Sequence, residues 1–87
     1  MTAPLLKAVD MYLKLVNVRD ILRRLKGADY EAAILPILAD LERVATIESK
    51  SVLTVATEVA TRLKADGHTG AAMVVLAAAC ESIERAP

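Results

Sequence analysis

The chain has no Trp and no Phe, and two Tyr are the only aromatic residues among its 87. One Cys excludes an intramolecular disulfide framework and fits a reducing compartment or indifference to redox state. Three Gly and three Pro are too few for an all-β or disordered chain. Met1 to Leu6 has no basic segment ahead of an apolar run, so the start does not read as a signal peptide. The longest uninterrupted apolar run is Ala71 to Cys80, ten residues, against the ~20 that span a bilayer. These absences lead to an expectation of a cytoplasmic protein that neither crosses nor enters a membrane.

What the chain has in quantity is aliphatic surface. Sixteen Ala, twelve Leu, nine Val and five Ile bring the apolar fraction to 55%. The length fits one domain over residues 1–87, all-α in class. A chain this short buries only roughly 60–65% of the surface its unfolded form exposes, so its stability depends on good packing or on association.

Net charge is zero but unevenly placed. Residues 1–27 hold six bases and two acids, or +4, and residues 28–87 hold five bases and nine acids, or −4. The preferred meaning is internal, with the first helical segment lying against acidic later ones. A free basic arm for nucleic acid is disfavoured.

Two helix boundaries are well marked. In Lys26-Gly27-Ala28-Asp29, Gly27 suits the position just past a helix and Asp29 suits the N-cap of the next. In Asp66-Gly67-His68-Thr69, Gly67 ends one helix and Thr69 suits a cap. Pro4 fits a first turn. The expectation is a small bundle of two antiparallel helical hairpins, three or four helices over about 4–26, 29–48, 51–66 and 69–85.

The first helix is two-faced. Leu5, Val9, Tyr12, Leu13 and Val16 share one side, whereas Met11, Leu15, Val18, Ile21, Leu22 and Leu25 lie nearly opposite. Either the helix breaks near Asn17, or one straight helix puts one face on its own core and the other on a partner. The middle region carries one stripe from Ile37 through Leu41, Val44, Ala45, Val52, Val55, Ala56 and Val59 to Leu63, interrupted by Glu48. A break at Ser49-Lys50-Ser51 gives a compact four-helix domain. No break gives a rod of ~30 residues and ~45 Å that a single copy cannot cover. The broken form is preferred. Pro36 removes a hydrogen bond and crowds the carbonyl of Ala32, so a kink over 32–36 or a restart at Pro36 is expected. The last helix is apolar almost all round from Ala71 to Cys80, which places it centrally or in an interface, with only its end from Glu81 onward wet.

An internal echo is present. Arg24-Leu25-Lys26 recurs as Arg62-Leu63-Lys64, each followed by a turn and paired Ala, Ala32-Ala33 and Ala71-Ala72, 39 positions apart. In the second hairpin Val59, Ala60, Leu63, Gly67, Ala72, Leu76 and Ala79 stand at the packing positions of a helical repeat. It resembles a tetratricopeptide-type hairpin over about 30 residues, at positions generic to any Ala-rich hairpin. The first hairpin shares only the turn Ala28 to Ala33, departs at Asp20, Arg24 and Asp40, and has a longer spacing than the family's period. The resemblance implies a protein-binding scaffold rather than catalysis.

No catalytic constellation stands out. Cys80 would need a base beside it and a lowered pKa, and a packed core thiol is the preferred reading. His68, the only His, sits in a turn without a ligand pattern. Gly67-His68-Thr69-Gly70 lacks the Lys and spacing of a phosphate loop and reads as a connector. The carboxylates show no Glu-x-x-His pairing of a di-metal bundle. Neither cofactor nor metal is therefore expected.

The expected function is a non-enzymatic protein–protein interaction module that self-associates, a dimer being favoured. Adaptor, assembly subunit, chaperone-like hairpin and small protein inhibitor are not separated. Met11, Leu15, Val18 and Leu22 on the first helix, with Met73, Val75 and Leu76 on the last, are the expected interface. The alternative is a helix–turn–helix transcriptional regulator with Arg19, Arg23, Arg24 and Lys26 on DNA phosphates. That stripe lacks both stacking aromatics and a net positive domain, so an ion-paired or solvated face is preferred.

Overall fold

The computed structural model describes residues 3–85, with side chains from Val9 to Arg85. Four α-helices follow one another: α1 (Ala3–Lys26), α2 (Tyr30–Glu48), α3 (Val52–Ala65) and α4 (Thr69–Arg85). No strand occurs among the described residues, and the fold is an all-α bundle.

The helix ends follow from local chemistry. Gly27 at φ 53° and Gly67 at φ 85° take the left-handed conformation that stops α1 and α3. At the second stop His68 N–H donates to the Leu63 carbonyl at 2.8 Å and Gly67 N–H to Lys64 at 3.1 Å, a Schellman closure. The middle region breaks by the same device without glycine. Ser49 sits at φ 55°, Lys50 N–H reaches the Ala45 carbonyl at 2.9 Å, and Ser51 Oγ accepts from Thr54 N–H at 3.1 Å to open α3.

Several expectations are corrected here. A single-turn 3-10 helix, Gly27–Asp29, separates α1 from α2, and Asp29 makes no side-chain cap bond. Thr69 is already helical; the His68 carbonyl accepts the first bond of α4, from Ala72 N–H at 3.0 Å. Of the two readings of the first helix, the unbroken one holds, since α1 runs past Asn17. Helix α2 runs through Pro36 without a restart, and Ala32, whose carbonyl loses its donor, is an exposed residue.

Helix α4 is the hub, and α1, α2 and α3 each pack on it. Its alanines make this possible. Ala72, Ala77, Ala78 and Ala79 are wholly buried, and such small side chains let three neighbours approach closely. One cluster joins Leu22 of α1, Ile34, Leu38 and Leu41 of α2, Val55 and Ala56 of α3 and Val75 of α4. Helices α2 and α3 also touch, α1 and α2 touch little, and the backbones of α1 and α3 stay apart.

The two-faced first helix is oriented opposite to expectation. Leu15 and Leu22 are 1% and 6% exposed, and Val18 packs half-buried on the same core. The outward side is the one with Val9, Tyr12 and Leu13, at 47%, 40% and 57% exposure. Leu5, assigned to that side by the pattern, lies outside the residues with described side chains. The inward choice has a physical reason: Arg19 belongs to the Leu15–Leu22 side and, besides the adjacent Asp20, pairs with Glu81 and Glu84 of α4. At 1.5 Å per residue α1 is also ~10 Å longer than α4, so part of it has nothing to lie against.

Candidate functional site

The bases of α1 meet the acids of α4. Arg19, 7% exposed, pairs through Nη1 with the Glu84 carboxylate and stands 4.0 Å from Glu81 through Nε. Arg23 Nη2 donates to Glu81 Oε1 at 2.7 Å. Tyr30 Oη, from the first turn of α2, donates to the same oxygen at 3.1 Å, and the Arg23 guanidinium lies 5.4 Å from the Tyr30 ring centroid. Tyr12 Oη reaches Glu84 Oε1 at 3.4 Å. Glu81 was expected in water; it is 7% exposed, and two charge-assisted donors compensate its burial.

The electrostatics follow the geometry. The bond from Arg19 holds the Glu84 carboxyl below its usual range and Arg19 more firmly in its charged form. Burial, then the Glu81 charge, pushes the Tyr30 hydroxyl up to about 12. The Tyr12 hydroxyl is raised chiefly by the Glu84 charge. Beside this cluster opens a cavity of about 440 Å³, lined by the charged Arg23, Glu31, Glu81 and Arg85, by Tyr30, and by the apolar Ile34 and Leu35. Its charges balance in sign, so it selects neither an anion nor a cation.

The residues singled out in the sequence scatter. Cys80 is wholly buried and its thiol pKa is raised first by burial, which opposes the thiolate a nucleophile needs. His68 is exposed in the α3–α4 turn. No group of three or more His, Cys, Asp or Glu converges on a point among the described residues. No helix among them is long and apolar enough to cross a membrane.

The expected interface residues are mostly consumed within the chain. Leu15, Leu22 and Val75 are buried, Val18, Met73 and Leu76 are half-buried against the core, and Met11 alone is exposed. The expected DNA stripe divides: Arg19 and Arg23 are ion-paired to α4, whereas Arg24 and Lys26 are exposed. Tyr12, Tyr30, Glu81 and Glu84 were not singled out as a unit. The signal for them was the opposite charge of the two parts of the chain.

Besides Leu25, Leu35 and Ile47, which are also exposed, two surfaces stand open among the described residues. One is the outer side of α1, with Val9, Tyr12 and Leu13 exposed and Val16 half-buried. The other is a groove between α1 and α3, floored by α4. No protein-family model, curated protein or solved structure matches the chain.

Proposed function

We propose that this chain is a non-enzymatic protein-interaction module that pairs with a second copy of itself through the outer face of α1. The observation that carries the reading is that face. Val9, Tyr12 and Leu13 stand in solvent with Val16 beside them, on a helix whose opposite side already fills the core. Such clustering of apolar side chains on one exposed helix face supports an interaction site, whereas Leu25, Leu35 and Ile47 are exposed at other positions.

The pattern favours a second copy as the occupant. Val9 and Val16 are equally distant from the Tyr12-Leu13 step. An antiparallel crossing at that step sets each Val against the other Val of the partner helix, which is the self-complementarity a twofold dimer requires. The likeness of α3–α4 to a tetratricopeptide-type hairpin also favours protein binding over catalysis. DNA binding is the weaker reading, since two of its four bases are already neutralised by Glu81 and Glu84.

Light scattering coupled to size exclusion tests the proposal. The wild-type mass rises toward twice 9.3 kDa as concentration increases, and Leu13→Asp returns it to the single-chain value with the helical circular dichroism unchanged. A wild-type mass that stays at one chain at every concentration rejects self-pairing.

A further inference from the structure

We propose that the groove between α1 and α3 receives one amphipathic helix of a different protein, carrying acidic residues at one end. The proposal extends the interaction reading to a second surface and rests on it only in assigning the protein a binding role.

The groove exists because α1 and α3 both rest on α4 while their own backbones stay apart. Around α4 the order is α1, α2, α3, and the fourth side has no helix of its own. Helix α3 lines the groove from Leu53 to Lys64, eleven positions or ~16 Å, the length of three helical turns. Met11 forms the facing wall and Leu15, Ala60 and Leu76 the floor. The two parts of the groove enclose about 600 and 210 Å³.

Its walls are less polar than their sequence implies. Thr57 Oγ1 donates to the Leu53 carbonyl at 2.8 Å and Thr61 Oγ1 to the Thr57 carbonyl at 2.8 Å. Both hydroxyls are thus used within α3, and the two residues act in the groove mainly through their methyl groups. An open apolar trough of this length suits the apolar stripe of a helix.

Charge fixes the chemistry of the occupant. Lys14 on α1 and Lys64 on α3 flank one end, and neither enters an ion pair among the described residues. Glu58, midway along the α3 wall, is already engaged by Lys50 at 3.1 Å. Unneutralised positive charge therefore borders the apolar floor at one end only, so acidic side chains are favoured there and set the direction of the bound helix. The outer face of α1 lies on the opposite side of that helix, which leaves the groove open in a self-paired dimer.

The test uses two fluorescein-labelled, Ala-based helical peptides of equal length. Each has Leu at two positions one turn apart and two terminal residues of one charge, Glu in one peptide and Lys in the other. The Glu peptide binds about five- to tenfold more tightly than the Lys peptide, and the double variant Lys14→Glu/Lys64→Glu inverts that preference. Thr61→Trp, at an exposed position that adds bulk to the groove, weakens the Glu peptide about tenfold or more. On the wild-type chain, amide shifts on adding the Glu peptide map to residues 11–15, 53–64 and Leu76. Equal binding of both peptides, binding of neither, or shifts confined to Val9, Leu13 and Val16 overturns the proposal. Displacement of the Glu peptide by excess unlabelled chain assigns the groove to a second copy and overturns it too. Repeating the titration on Leu13→Asp separates the two readings, since groove binding persists there whether or not the wild type self-pairs.

Discussion

Ser49 holds a left-handed conformation at φ 55° that costs an L-residue about 1–2 kcal/mol, and the break between α2 and α3 depends on it. Ser49→Gly removes that strain against some added freedom in the unfolded chain. It therefore stabilises the fold by about 0.5–1 kcal/mol, read as a rise of a few degrees in the thermal midpoint. Gly67→Ala does the reverse by about 1 kcal/mol; nothing lies within 4 Å of the added methyl, so the whole effect is backbone strain. Tyr30 carries the second residue-scale prediction. Its hydroxyl pKa is raised to about 12 in the fold against ~10 when unfolded. The stability tied to its neutral form is intact below pH ~10 and lost as pH rises toward about 12. Urea titrations across that window show the wild type losing roughly 2 kcal/mol. Tyr30→Phe loses much less there and starts about 1 kcal/mol lower at neutral pH, because Glu81 has lost a donor. The sequence exposed Gly27 and Gly67 as stops, because glycine announces a left-handed site. It marked Ser49-Lys50-Ser51 as the place of a break but not Ser49 as its left-handed residue, because serine is compatible with several local conformations.

The helices were largely legible one at a time. Their ends fall within one residue of the expected boundaries, since capping and periodicity are local. At Pro36 local reasoning left a kink or a restart open, and the continuous helix excludes the restart. The missing bond lies on the exposed side of α2, so the helix continues at a cost rather than stopping. Pro36→Ala accordingly stabilises the chain by about 1–2 kcal/mol in chemical denaturation. Ser51→Ala removes the Oγ that accepts from Thr54 N–H and costs about 1 kcal/mol, with the loss of amide-exchange protection greatest in the first turn of α3.

For the molecule as a whole, much of the aliphatic surface is hidden by α4 and its alanines, and what stays exposed includes the Val9, Tyr12 and Leu13 side of α1 as well as Leu25, Leu35 and Ile47. Aspartate substitutions separate the two kinds of surface. Leu22→Asp and Val75→Asp place a charge in the core and unfold the chain or destabilise it by several kcal/mol, whereas Leu13→Asp alters mass and leaves stability nearly unchanged. Helical class, the helix boundaries, a central or interfacial place for the apolar last helix and the pairing of a basic first segment with acidic later ones were all present in the sequence. Each is set by neighbours along the chain or by a bulk charge imbalance. Which face of α1 turns inward was not, because both faces are apolar and the deciding contacts, Arg19 with Glu84 and Arg23 with Glu81, join residues 65 and 58 positions apart. The same holds for the burial of Glu81 and for the groove between α1 and α3. A helix carries no local record of what lies across from it, so only the packing of all four around α4 decides what is core and what is left for a partner.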